Sequence, residues 1–196
     1  MIAVITGDIV KSRSREPEVW LPILEKAIAI YAKDYDVFRG DSFQLEVSLA
    51  QALTAAFYIK AAMIEVGLDV RLGIGIGNKD DNSPHIKTTF GSALVYSGEA
   101  FDELKKDTLY LKSSSEAFNE LCNTILPLLT ELCVRWTPNI AETVKVALQH
   151  EGVNQVELAK ILNKKYQSQV STALQKAGFS KMQHALAYCT QQLLTL

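Results

Sequence analysis

Two aspartates, each directly after a glycine, are the residues of this chain whose types and spacing point most clearly to chemistry. Asp8 lies in Thr6-Gly7-Asp8-Ile9-Val10, and Asp41 lies in Phe38-Arg39-Gly40-Asp41-Ser42-Phe43. Two carboxylates brought within a few ångströms repel each other unless a cation sits between them. Hard oxygen ligands suit Mg²⁺, which is commonly shared with substrate phosphates. Asp8 and Asp41 are therefore the candidate metal ligands. The backbone N–H groups of Ile9 and Val10, with the side chains of Lys11, Arg13, Arg39 and Arg71, form the candidate nucleotide or phosphate site. The alternative is that both acids merely cap turns, and the spacing by itself favours that slightly.

These acids need a sheet to hold them. Met1 to Thr6 is expected to be a buried strand ended by Gly7. Pro17 opens a helix to about Lys33. Val37-Phe38 and Ser42 to Val47 form a hairpin around Gly40, where glycine tolerates the positive φ of a tight turn. A helix from about Ser48 to Val66 ends at Gly67. Asp69 to Gly77 alternates, with Val70, Leu72, Ile74 and Ile76 on one face and Arg71, Gly73 and Gly75 on the other. Those glycines either let a ligand approach or make room for a helix. Lys79 to Thr89 reads as a polar loop, Gly91 to Phe101 as a helix, and Thr108 to Leu111 as a last strand. The expected class is α+β: a ferredoxin-like, cyclase-like mixed sheet with helices on one face, over residues 1–112.

Ser113 with Glu116 has capping-box spacing. It opens a helix carrying Phe118, Leu121, Ile125, Leu128 and Leu132, with a kink expected at Pro127. Residues 113–136 are either a connecting helix that contributes a homodimer contact or a last helix packed on the first domain. Thr137-Pro138-Asn139 marks the boundary to residues 137–196. There Asn139 to Gln149 is helical, and Asn154 can cap a helix running to Leu162. Ser168 to Ala177 makes another, closed by Gly178. Val156, Leu158, Ile161, Leu162, Val170 and Leu174 would form its core, with Ala159 at the crossing. This is a helix-turn-helix pattern. Gln167, Ser168, Gln169, Ser171 and Thr172 can reach base edges, while Lys164, Lys165 and Lys176 sit near phosphates. The alternative is a helical bundle that binds protein or only packs.

The chain has 196 residues and a net charge of −2. Residues 1–136 carry 14 basic and 19 acidic side chains, whereas 137–196 carry six lysines and three glutamates. That asymmetry suggests different partners for the two parts, with DNA expected for the second. Cys122, Cys133 and Cys189 lack metal-ligand spacing and read as reduced, buried thiols of a cytoplasmic protein. No apolar run reaches the roughly 18 residues of a membrane span, and no signal peptide is read.

Thr6-Gly7-Asp8-Ile9-Val10, Arg39-Gly40-Asp41-Ser42-Phe43 and Arg71-Leu72-Gly73-Ile74-Gly75-Ile76-Gly77 resemble, in order, three blocks of the class III nucleotide cyclase core. The resemblance implies that Asp8 and Asp41 fall on that family's metal-binding aspartates. Over nearly its full length the chain is similar to the SatD family, bacterial proteins in which such a half precedes a helix-turn-helix-like part. One departure matters. The asparagine and arginine that steady the cyclase transition state are absent from Gly91 to Phe101. Without such donors, phosphoryl transfer loses orders of magnitude in rate. No catalytic residue is assigned. The expectation is a DNA-binding regulator whose first domain binds a nucleotide or metal-phosphate ligand. The alternative is a Mg²⁺-dependent, cyclase-like enzyme acting on nucleoside triphosphates.

Overall fold

A computed structural model describes residues 1–38, 40–80 and 85–196. Among these residues five strands form one mixed sheet: β1 (Ile2–Val10), β2 (Asp34–Phe38), β3 (Ser42–Val47), β4 (Asp69–Gly77) and β5 (Leu109–Lys112). The spatial order is β2-β3-β1-β4-β5. Neighbours are antiparallel except for β4 and β5, which run parallel. The central strand β1 continues straight through Gly7 and Asp8 rather than ending there. The reason is packing. A Cβ on Gly7 would lie 2.6 Å from the Phe43 ring and 2.7 Å from Leu72, so the glycine accommodates side chains from both neighbouring strands.

Helices α1 (Pro17–Ala29) and α2 (Ala52–Glu65) cover one face of the sheet. Pro17 is at the start of α1, where its missing N–H costs nothing. Trp20, Leu24, Ala27 and Ile28 bury that helix against Ala3, Ile5 and Ile9 of β1, Phe43, Leu45 and Val47 of β3, and the even-numbered residues of β4. The helices do not stay on one face. Helix α3 (Ser92–Asp102) lies across the opposite face of β1, β4 and β5. Of the two readings for the β4 glycines, close helix packing holds. A Cβ at Gly75 would be 2.1 Å from the carbonyl oxygen of Ala93 and 2.2 Å from the amide nitrogen of Ser97. No side chain fits there, so α3 rests directly on the strand backbone.

Helix α4 (Glu116–Cys133) follows β5 and runs on through Pro127. Its cap is Ser115, whose Oγ accepts from the Phe118 amide, while the Ser113 hydroxyl donates to Asn119 instead. The buried stripe is Phe118, Cys122, Leu126, Leu129 and Cys133, and Leu128 faces solvent. Asn123 accepts from the Leu111 amide and donates to the Leu111 carbonyl, both at 2.8 Å. These bonds satisfy an edge strand that would otherwise offer itself for pairing.

Four helices complete the chain: α5 (Pro138–Gln149), α6 (Gln155–Ile161), α7 (Gln167–Ala177) and α8 (Phe179–Leu193). One apolar cluster runs from Ala3 to Leu193, with α5 packed on α2. Lys145 pairs with Glu65, and the Tyr58 hydroxyl donates to Gln149 across the same seam. All three cysteines are free and buried. Burial pushes the Cys133 thiol up to about 12. Cys122 is raised too, by the neighbouring Cys189 thiol and by burial. Among the described residues no helix is long and apolar enough to cross a membrane.

Candidate functional site

The first candidate site is the end of the sheet where β1 leaves for α1. The hairpin places its loop there, with Gly40 at φ +88°. Antiparallel pairing sets Asp8 opposite Ser42, and the Ile9 amide donates to the Asp41 carbonyl at 3.1 Å. The two Gly-Asp segments are therefore neighbours in backbone, as the sequence suggested. Their side chains part company. Asp8 is on the α3 side, in register with Arg71, whose Nε donates to Oδ1 at 2.9 Å and whose terminal nitrogen donates to Oδ2. Bidentate pairing is the geometry a guanidinium prefers with a carboxylate. It holds the Arg71 pKa above its ordinary value, the hydrogen bond to Asp8 being the main cause. The same guanidinium lies 5.4 Å from the centre of the Phe101 ring.

Asp41 takes the other side. It is paired with Ile9, which faces the α1 core, and the alternation of the strand turns it the same way. Its Oδ2 accepts from the Ser12 hydroxyl at 2.6 Å. Ser12, Arg13, Arg15, Glu16, Trp20 and Asp41 are among the residues that line a cavity of about 360 Å³. Lys11, at φ 56°, turns the chain out of β1 and is exposed, as is Arg13. Ile9 is buried with its amide committed to Asp41, and Val10 pairs with Asp69, so neither amide stands free for a phosphate. Arg39 lies outside the described residues. Among the described residues no group of three or more His, Cys, Asp or Glu side chains is placed to hold a metal ion. Among the described residues Mg²⁺ has no pair of free carboxylates here; Asp8 would first have to release Arg71.

The second candidate site is α6, its turn and α7. The Asn154 side chain caps α6, accepting from the Val156 and Glu157 amides. Asn163 makes the turn at φ 52°, a left-handed conformation that asparagine tolerates better than most residues. Leu158, Ala159, Leu162, Val170 and Leu174 are buried, whereas Val156 and Ile161 are 54% and 46% exposed. The indole Nε1 of Trp136 donates to the Ala177 carbonyl at 3.2 Å and pins the far end of α7.

The side chains expected to meet DNA divide into three groups. Lys164 is turned back to α5, where its Nζ donates to Glu142 and Asn139, both at 2.9 Å. Gln167 donates to Gln155 of α6, Lys165 lies over the Tyr166 ring, and Ser171 is half-buried. Ser168, Gln169, Thr172 and Lys176 remain together. They line one wall of a groove of about 700 Å³, whose other wall is Arg135, Thr137 and Asn139. The Gln169 Oε1 is used, accepting from the Tyr166 amide, but its Nε2 has no described partner.

Arg135 is the residue the sequence reading missed. A boundary drawn at Thr137 leaves it in the linker, yet it stands opposite Lys176 across the groove. A cation two residues ahead of a Thr-Pro helix start was the available signal. Helix α7 itself carries no carboxylate.

Comparison with protein-family models, with curated proteins and with solved structures finds no match.

Proposed function

We propose that the chain is a DNA-binding regulatory protein in which α6 and α7 form a helix-turn-helix and α7 is laid into the major groove. The observation that carries this reading is the Ser168, Gln169, Thr172 and Lys176 face opposite Arg135. Small hydroxyls and an amide next to two cations, with no acid among the groove's lining residues, suit base edges flanked by phosphates. Lys165 and Gln167 flank the entry to α7. A homodimer belongs to the same reading, since such proteins commonly read two half-sites; Leu128 of α4 and Val134, just past its end, are largely exposed. A pool of random duplex fragments incubated at low salt with the full chain should yield bound fragments. A variant carrying both Gln169→Ala and Lys176→Gln should retain few of them. Equal retention by that variant removes α7 as the reading helix.

The sheet is the second half of the reading. The order β2-β3-β1-β4, with α1 and α2 as the two crossovers, supports a ferredoxin-like sheet of the cyclase kind. Its Gly-Asp end is a site for a nucleotide or another phosphate ligand, held by Lys11, Arg13 and the Ser12–Asp41 pair. Mg²⁺ enters only with such a ligand, whose phosphate oxygens supply what the separated carboxylates lack. Catalysis is the lesser reading, because the Arg71 cation is already committed to Asp8. Calorimetry of the full chain with ATP or GTP and Mg²⁺ should give saturable heat that disappears in Asp41→Asn. No heat removes the ligand limb, and turnover of the nucleotide would promote the enzyme reading.

A further inference from the structure

Arg135 and Lys176 also line a second concavity, next to the α7 groove. It is about 1030 Å³, floored by Leu158, Leu174 and Phe179 where α4, α5, α6, α7 and α8 meet. His150 and Lys181 join Arg135 and Lys176 around it. In a chain with 22 acids against 20 lysines and arginines, no carboxylate of the described residues lines it. None of the four cationic or imidazole side chains takes part in an ion pair or side-chain hydrogen bond among the described residues. Like charges gathered without counter-charges cost free energy, most of all over an apolar floor that lowers the local dielectric. The backbone adds to this. Gly178, at φ +69°, ends α7 and starts α8 at once, so no side chain caps the first turn of α8. The amides of Phe179, Ser180 and Lys181 find no acceptor among the described residues.

We propose that this concavity binds a small organic phosphate, an anion carrying one or two phosphate groups on an apolar body. Lys181, Arg135, Lys176 and the first amides of α8 take the phosphate, His150 closes the opposite rim, and the leucine floor takes the body. Binding of this ligand does not depend on the DNA reading. Its consequence does, because it draws on two cations of the α7 groove and would compete with a duplex.

The probe is inorganic pyrophosphate, titrated calorimetrically into the full chain at near-physiological salt, where weak surface attraction is screened. The expected result is saturable heat, the share from this concavity being the part that Lys181→Gln weakens. Lys181→Gln, an exposed change, should weaken it about tenfold or more, the scale of one charge-assisted hydrogen bond. Lys106→Gln, in the turn before β5, should leave it unchanged. Absence of saturable heat overturns the proposal, as does equal weakening by Lys106→Gln, which would mark non-specific attraction. If pyrophosphate gives no heat while Lys181→Gln weakens duplex binding, the cations serve the DNA backbone and the small-anion site falls.

Discussion

Gly75→Ala should destabilise the protein by at least about 3 kcal/mol, the upper end of overpacking costs. The three atoms nearest the added methyl are all backbone: the Ala93 carbonyl oxygen at 2.1 Å, and the Ser97 amide nitrogen and Cα at 2.2 and 2.8 Å. No rotamer change relieves such contacts, so α3 must lift off β4. Lifting it also separates Ser97 from Thr6, whose hydroxyls are 2.9 Å apart, and breaks the chain of polar contacts that continues to Gln44. Gly98, the residue after Ser97 in α3, is the control. A Cβ there meets nothing within 4 Å. Gly98→Ala should therefore stabilise by roughly 0.5–1 kcal/mol, the helix-interior difference between the two residues. Thermal or urea unfolding of the two variants reads both signs. A mild effect at Gly75 would mean that α3 does not pack on the sheet as described.

Asp69→Ala should cost about 3 kcal/mol or more, the loss seen when one partner of a buried ion pair is removed. The Lys60 side chain is 1% exposed, and its Nζ donates to Asp69 at 2.7 Å and Thr108 at 2.8 Å. Without Asp69 the ammonium keeps only a hydroxyl and a distant carbonyl. Lys60→Met removes the charge but preserves much of the volume, and should stay within about 1–2 kcal/mol of the parent. For a chain of this size each kcal/mol shifts the melting temperature by roughly 2–4 °C. The aspartate variant should thus melt visibly lower than the methionine variant. The reverse order would show that Lys60 is not buried with an obligatory partner.

What the sequence made legible was mostly what periodicity and caps encode. The bounds Asp69 to Gly77 match β4, though Leu72 to Gly77 are all buried because α3 covers the face that the alternation left open, and Asn154 caps α6 as its type suggests. Gly7 misled because glycine has two uses: ending a strand, or lying beneath large neighbours. Only the positions of Phe43 and Leu72 decide between them. The face of α4 was shifted because its leucines form two adjacent stripes, and composition alone does not say which one β5 and α8 cover. Helix α8 went unassigned, although Met182, Leu186, Cys189 and Leu193 bury one of its faces. The partnership of Asp8 with Arg71 follows from register. Register is set by the hairpin and the β1–β4 pairing together, which local spacing cannot supply.

The hairpin at Gly40-Asp41 thus does what its turn chemistry promised, and it brings its aspartate beside β1. The pleat then separates the two carboxylates, one to Arg71 and one to Ser12. The weight of the functional reading moves to α7.

The most direct measurement of that reading is duplex binding by the full chain as a function of salt. The logarithm of the affinity should fall linearly with the logarithm of salt concentration. Arg135→Gln and Lys176→Gln should each reduce the slope by about one, since each removes one phosphate contact. Thr172→Ala should leave the slope unchanged and alter which sequences are preferred. Absence of duplex binding at low salt, or a slope that ignores both cation variants, would contradict α7 as a DNA-reading helix.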